Sequence, residues 1–319
     1  LPGAPPEEAL AKFKKAYPSA AAMGNGFPAF GADALRFTLS TFPPSNKRIA
    51  LAPKRIEGYR HFANKIWNAT RLSLSNLEGF DASALTGDAP PKATTWYNRW
   101  LVAQLGKSIK ICNDGLEAFR IDEAALESYR FFWNDFCDWY LEITKSVLRG
   151  ESGTPEEKKE TQAVLAHVLE TSLRLIHPMM PFITEELWQR LPRPASRKKS
   201  IAFGPYPDAA KDGIDDAEAI QQMELFKAVV SAARTIRSEH EVDPKADVPL
   251  SLRSEGDGAR ALLEGRLGGR RLCREVCRYR TDTINAEDHW AIGCRPSVLW
   301  QRETRNRRAY THRRRRSPG

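Results

Sequence analysis

Four successive stretches of this 319-residue chain repeat their large side chains at the spacing of one α-helical face, and this periodicity constrains the fold most. The first carries Ile56, Tyr59, Ala63, Ile66, Trp67, Thr70, Leu74 and Leu77, which at 1.5 Å per residue makes a helix roughly 35 Å long. The second, after the Pro90-Pro91 break, carries Tyr97, Trp100, Leu101, Leu105, Cys112, Leu116 and Phe119. The third carries Tyr129, Phe132, Trp133, Phe136, Trp139, Tyr140, Ile143 and Val147. The fourth carries Val164, Leu165, Val168, Leu169, Leu173 and Ile176. Pro155-Glu-Glu opens it, because proline lacks an amide hydrogen that the first turn would leave unpaired and acids suit the positive end of the helix dipole. His177-Pro178 stops it, and a shorter helix is expected over Phe182 to Leu191. Stripes of this kind must be buried against one another, so the fold class is mainly α, an antiparallel bundle of long helices.

The flanks read differently. Residues 1–30 are rich in Pro, Ala and Gly around one short amphipathic stretch, Glu7 to Tyr17, and resemble a loop or insertion. After the bundle come a basic loop from Arg193 to Lys199, a strand candidate at Ser200 to Phe203, a helix from about Ala217 to Glu239 and a strand candidate at Val248 to Leu252. These suggest a small α/β lobe. The expected division is 1–53 as a leading segment, 54–192 as the bundle, 193–265 as the lobe and 266–319 as an Arg-rich tail.

Charge bears on the choice of partner. The net charge is +9, but Arg266 to Gly319 holds fifteen Arg, no Lys and five acidic residues, so the preceding 265 residues sum to −1. A nucleic-acid argument must therefore rest on local patches. Two readings fit the tail: a disordered basic arm, or a shifted reading frame in the source gene. No apolar run reaches the roughly 18 to 20 residues of a membrane helix, and no signal pattern opens the chain, which reads as cytosolic.

Most catalytic constellations are missing. Five scattered cysteines suggest reduced thiols rather than a disulfide framework. Cys273, Cys277, His289 and Cys294 resemble a zinc-ligand set only loosely, with no Cys-x-x-Cys knuckle. Gly24-Asn-Gly lacks a strand-turn-helix context, no phosphate-binding Gly-x4-Gly-Lys run occurs, and no Glu-x-x-His pair suits a di-iron bundle. The six histidines are too scattered for a triad. In Phe131-Phe-Trp-Asn-Asp-Phe-Cys-Asp-Trp-Tyr140 the aromatics form a core stripe, and Asp135, Asp138 and Glu142 are expected on a solvated face opposite.

The first long helix holds the informative polar pattern. Arg60, His61, Asn64, Lys65, Asn68 and Arg71 lie on adjacent turns opposite its apolar stripe. Cations meet phosphates, while Asn and His read the edges of unstacked bases in an RNA loop. A plain solvated face has the same pattern, and composition does not separate the two.

Several long segments together resemble one family. Gly31-Ala-Asp-Ala-Leu-Arg-Phe-Thr-Leu39, Arg55-Ile-Glu-Gly-Tyr-Arg-His-Phe-Ala-Asn-Lys-Ile-Trp-Asn-Ala-Thr-Arg71, Phe132-Trp-Asn-Asp-Phe-Cys-Asp-Trp-Tyr-Leu-Glu142 and His177-Pro-Met-Met-Pro-Phe-Ile-Thr-Glu-Glu-Leu-Trp188 resemble, in order and spacing, the carboxy-terminal half of valine-tRNA ligases, which are class Ia aminoacyl-tRNA synthetases. The resemblance covers roughly residues 27 to 255. It implies that Asp33-Ala-Leu-Arg36 closes a catalytic domain and that residues 54–192 are an anticodon-binding domain, with Arg60, His61, Asn64, Lys65, Asn68 and Arg71 facing tRNA-Val. It implies a cytoplasmic monomer that lacks the His-Ile-Gly-His and Lys-Met-Ser-Lys-Ser motifs, hence a fragment inactive alone that partners a missing amino-terminal catalytic half. No cofactor is then expected in this chain; ATP, valine and Mg belong to the complete enzyme. The alternative is a stand-alone helical scaffold that binds protein.

Overall fold

The structure, a computed structural model, describes residues 7–16, 18, 29–45, 49, 51–85, 89–192, 198–209, 214–239, 241, 248–254, 279–283 and 298–301. The chain divides into two compact units, Leu1–Ile220 and Gln221–Gly319. In the first, α1 spans Glu7–Ala16, α2 Ala32–Ser40, α3 Pro53–Asn76, α4 Trp96–Glu117 and α5 Ile121–Arg130. A π-helix over Phe131–Tyr140 and two short turns follow, then α6 at Pro155–Ile176 and α7 at Pro181–Trp188.

Side-chain contacts fix how the long helices run. Asn98 near the start of α4 donates to Glu160 (2.9 Å) and Thr161 (3.2 Å) near the start of α6, so α4 and α6 are parallel. Tyr140 at the end of the π-helix donates to the same Asn98 (2.8 Å), and Ser108 farther along α4 meets Glu127 of α5, so α5 and its π continuation run the other way. Gln162 of α6 donates to the carbonyl of Asn76 at the end of α3 (2.8 Å), which sets α3 antiparallel to α6. The result alternates in direction, as in an up-and-down bundle.

Local chemistry fixes the ends. Thr154 Oγ1 accepts from the Glu157 amide (3.1 Å), Pro155 sits in the first turn, and Glu156 and Glu157 follow, so α6 starts where the sequence places it. The preceding turn uses Gly150 and Gly153 at φ 73° and 76°. At Gly153 it is the positive φ that favours glycine, since the nearest atom to an added Cβ, Glu157 Oε2, is the end of a side chain that can swing away. Between α4 and α5, Phe119 takes a left-handed conformation (φ 57°), and the Arg120 amide reaches back to the Gly115 carbonyl (2.7 Å). That is the bonding of a glycine-type helix stop with a bulky residue at its left-handed position.

The core is aromatic. Phe37, Phe62, Phe132, Phe136 and Tyr140 are fully buried, with Phe37 and Phe62 ring centroids 5.3 Å apart and Phe132 and Phe136 5.2 Å apart. Each such side chain contributes about 1.5 to 3 kcal/mol through burial.

Three sequence expectations are corrected. On α3 the buried side runs through Ile56, Phe62, Ile66, Ala69, Thr70 and Ser73, leaving Trp67 outside it. Trp67 lies about 100° around the helix axis from Ile66, away from the side that Phe62, Ala69 and Ser73 share. In the third segment Asp135 is buried (2% exposed), not on a solvated face, while Asp138 and Glu142 are exposed. The π-helix explains this, because its i→i+5 bonding widens the coil beyond 3.6 residues per turn and rotates successive side chains differently. Asp135 is paired there with Arg130 (2.7 Å), which also binds Glu127. Finally, Ile201–Phe203 forms a 3₁₀ turn instead of a strand. The Glu185 carboxylate accepts from Ser200 Oγ (2.9 Å) and the Ile201 amide (3.0 Å), which curls the chain locally.

Helix α8 spans Ala217–Glu239, where the sequence reading expects a helix. Met223, Phe226, Val229, Val230 and Ala233 form its buried side. The second unit also holds strands β1 (Val248–Ser254), β2 (Tyr279–Thr283) and β3 (Val298–Gln301), in the order β2-β1-β3. β1 pairs parallel to β2 and antiparallel to β3, with Leu252 opposite Trp300. Among the described residues no helix is long and apolar enough to cross a membrane.

Candidate nucleic-acid interface

Helix α3 carries the candidate site on the side turned away from its seam. Arg60, His61, Asn64, Asn68 and Arg71 are all exposed, on consecutive turns of one rigid element. Lys65 differs. It is half-buried, its Nζ is 2.8 Å from Asp138 Oδ1, and it lies 4.8 Å from the Trp133 ring centroid. Its ammonium is thus neutralised from within the protein, by a carboxylate that the π-helix presents.

The opposite side of α3 holds the ridge still. Phe62 packs between Phe37, Tyr129 and Phe132, and Ile66 is fully buried. Buried side chains in close-packed surroundings occupy single rotamers, so the helix cannot roll about its axis without opening the core.

Two of the family-like segments form a latch beside the start of α3. Asp33 of α2 accepts from the Phe182 and Ile183 amides (3.3 and 2.7 Å), capping α7 from outside its own chain segment. Arg36 donates to the Pro178 carbonyl (3.0 Å), and Arg55 of α3 binds the Thr41 hydroxyl (3.1 Å). His177 Nδ1 lies 2.8 Å from Thr184 Oγ1. Burial lowers the His177 pKa, outweighing the opposite pull of Glu185 and Asp33, so the ring is neutral at physiological pH. Asp33, Arg36 and His177 therefore serve structure.

Sequence reasoning missed one residue beside the ridge. Trp67, read as core, is 37% exposed, and the Arg190 guanidinium lies 5.2 Å from its ring centroid. The signal was its spacing, three residues after Asn64 and four before Arg71, which makes it a surface neighbour of both. Of the basic loop, Arg193 to Arg197 lie outside the described residues; Lys198 and Lys199 are exposed.

Two cysteines are buried. Burial pushes the Cys112 and Cys137 thiols up to about 12, which makes them unreactive core groups. Among the described residues no group of His, Cys, Asp and Glu could hold a metal; Cys273, Cys277, His289 and Cys294 lie outside them.

Comparison with known proteins bears on the domain as a whole. The family described as "Anticodon-binding domain of tRNA ligase" matches residues 98–252. Valine–tRNA ligase of Laribacter hongkongensis is 38% identical over 247 residues, 77% of this chain and 26% of that protein. The enzyme of Stenotrophomonas maltophilia is 42% identical over 241 residues, 75% of this chain and 25% of its own length. That of Chromobacterium violaceum is 40% identical over 227 residues, covering 70% and 24% respectively. The chain thus spans about a quarter of the length of these curated relatives. A leucyl-tRNA synthetase of Agrobacterium radiobacter K84, solved with tRNA, overlaps 56% of this chain and 20% of its own, at 20% identity and a TM-score of 0.40, a likeness too loose to add to the sequence relationship. By that relationship the chain resembles the valine-tRNA ligases over about three quarters of its own length, and its residues 98–252 match the anticodon-binding domain of tRNA ligases.

Proposed function

We propose that this chain grips the anticodon stem-loop of tRNA-Val through the α3 ridge, as the RNA-holding part of a valine-tRNA ligase. One observation carries the reading: five polar or cationic side chains stand exposed along a helix whose other side is locked in the core. Arg60 and Arg71 meet backbone phosphates, Asn64 and Asn68 read base edges, and His61 adds a further donor or acceptor. Lys65, tied to Asp138, lends its charge only when that pair opens.

The ligation itself, with ATP, valine and Mg, is assigned to the part of such enzymes that this chain does not match. Neither a His-Ile-Gly-His nor a Lys-Met-Ser-Lys-Ser sequence occurs in these 319 residues. The reading places the domain in the cytoplasm, as a monomer working with the catalytic half.

The test is binding of a tRNA-Val anticodon hairpin to the wild-type chain and to the triple variant Asn64→Ala, Asn68→Ala, Arg71→Ala. Three hydrogen-bonding groups at about 0.5 to 1.5 kcal/mol each give an expected loss of ten-fold or more. A triple variant with full affinity would leave the ridge as a solvated face, and no preference for this hairpin over unrelated RNA would favour the scaffold reading.

A further inference from the structure

The stability of the bundle does not account for Trp67 standing where it does. A tryptophan offers 150 to 250 Å² for burial, yet this one keeps 37% of its surface in solvent, on a helix whose seam buries the smaller Ala69 and Ser73. Its place on α3 is specific. Asn64 is one turn before it and Arg71 one turn after, and Arg60 lies about 20° away around the helix axis at 3.6 residues per turn. The ring is thus set among an amide and two cations of the ridge.

A third cation comes from another element. Arg190, just past the end of α7, lies 5.2 Å from the Trp67 ring centroid and is steered by an ion pair with Glu186. A guanidinium over indole loses part of its hydration, and with one Nη2 donor taken by Glu186 the remaining donors suit a phosphate contact. Unstacked bases of RNA loops seek such an arrangement: an aromatic surface for the base and a cation for the neighbouring phosphate.

We propose that Trp67 is the platform on which one unpaired base of the anticodon loop stacks, with Arg190 holding the adjacent phosphate. The proposal rests on the anticodon reading above and deepens it by naming the residue that takes a base by its face instead of its edge. The competing account makes Trp67 and Arg190 a seal between α3 and α7 that never touches RNA.

The experiment uses the 319-residue chain and tRNA-Val anticodon hairpins carrying 2-aminopurine at each loop position in turn. The wild-type chain is expected to quench the probe strongly at one position, the mark of stacking. Trp67→Leu should lose that quenching and about five- to one-hundred-fold in affinity, whereas Trp67→Phe should keep most of both. If Trp67→Leu retains both quenching and affinity while the Asn64, Asn68 and Arg71 triple variant binds weakly, the platform is wrong and the anticodon reading stands. If the triple variant keeps full affinity, the anticodon reading itself fails. A readout that needs no variant guards against a misfolded Trp67→Leu: 4-thiouridine at the quenched position should cross-link to the peptide containing Trp67, and cross-links confined to other peptides would overturn the proposal.

Discussion

Glu160 allows a quantitative test of what holds the bundle together. Its Oε1 accepts from the Thr94 amide (3.0 Å), the Thr95 amide (2.9 Å) and Asn98 Nδ2 (2.9 Å), and its Oε2 accepts from the Thr94 hydroxyl. These donors sit at the amino-terminal end of α4, where amides lack partners within the helix and the dipole favours an anion. Glu160→Ala removes every acceptor at once. Thr94 can turn to water, but the Thr95 amide is part-buried and Asn98 fully buried, and stranding two such donors costs about 1 to 3 kcal/mol each; because Asn98 Nδ2 keeps Thr161 Oγ1 as a second acceptor, a loss in the lower part of that range, roughly 2 to 4 kcal/mol, is expected. Glu160→Gln keeps an oxygen for the amides and gives up the charge, which costs about 1 kcal/mol. The pH dependence separates the two effects. Burial alone would raise the Glu160 pKa, but the hydrogen bonds from Thr94, Asn98 and the Thr95 amide outweigh it and hold the carboxyl below its ordinary value of 4.5. A depressed carboxyl contributes stability that is complete above its unfolded pKa and fades as pH falls through the folded one. The gap between wild type and Glu160→Gln should therefore be constant from pH 7 to about 5 and close below about 4.5, where protonated Glu resembles Gln. Urea unfolding at several pH values measures it. A Glu160→Ala cost under about 0.5 kcal/mol, or a Gln gap unchanged between neutral and acid pH, would refute the capping argument.

Two further outcomes follow from single residues. Phe119→Gly should stabilise the chain by about 0.5 to 1 kcal/mol in the same unfolding assay, since Phe119 holds φ 57° with 83% of its surface in solvent and loses little packing; destabilisation would show that the ring is packed after all. Asp138→Asn should free Lys65 and tighten binding of the anticodon hairpin about two- to three-fold, with a steeper salt dependence between 50 and 200 mM; unchanged affinity and slope would place Lys65 away from any phosphate.

Helix positions were legible in the sequence because burial imposes a period and ends have their own chemistry. Pro155-Glu-Glu and His177-Pro178 bound α6 where expected, since a missing amide hydrogen and a restricted preceding residue act locally. What depends on neighbours was not legible. Asp135 reads as a surface acid at 100° per residue, and only the wider turn of the π-helix carries it inward to Arg130. Trp67 reads as core because nothing in its own helix records that α7 covers it only in part, through Arg190. The ridge was visible as a pattern, but Lys65 was not separable from its neighbours until Asp138, 73 residues away, was seen to pair with it.

The electrostatics of the ridge decide how it works. Arg60 and Arg71 are eleven residues apart, about 16 Å along the helix, twice the roughly 8 Å screening length at physiological ionic strength. They do not sum into one patch, and the 265 residues before the Arg-rich tail carry a net charge of only −1. On the proposed reading, selection comes from short-range fit: two separated phosphate contacts that set register, with Asn64, Trp67 and Asn68 between them where loop bases would lie. Such fit demands a rigid mount, since each ångström of play would cost the hydrogen bonds their geometry. If the ridge grips RNA as proposed, the buried Phe62 and Ile66 beneath it and the Asp33 latch beside it serve recognition as well as folding, because they hold the exposed amides in place.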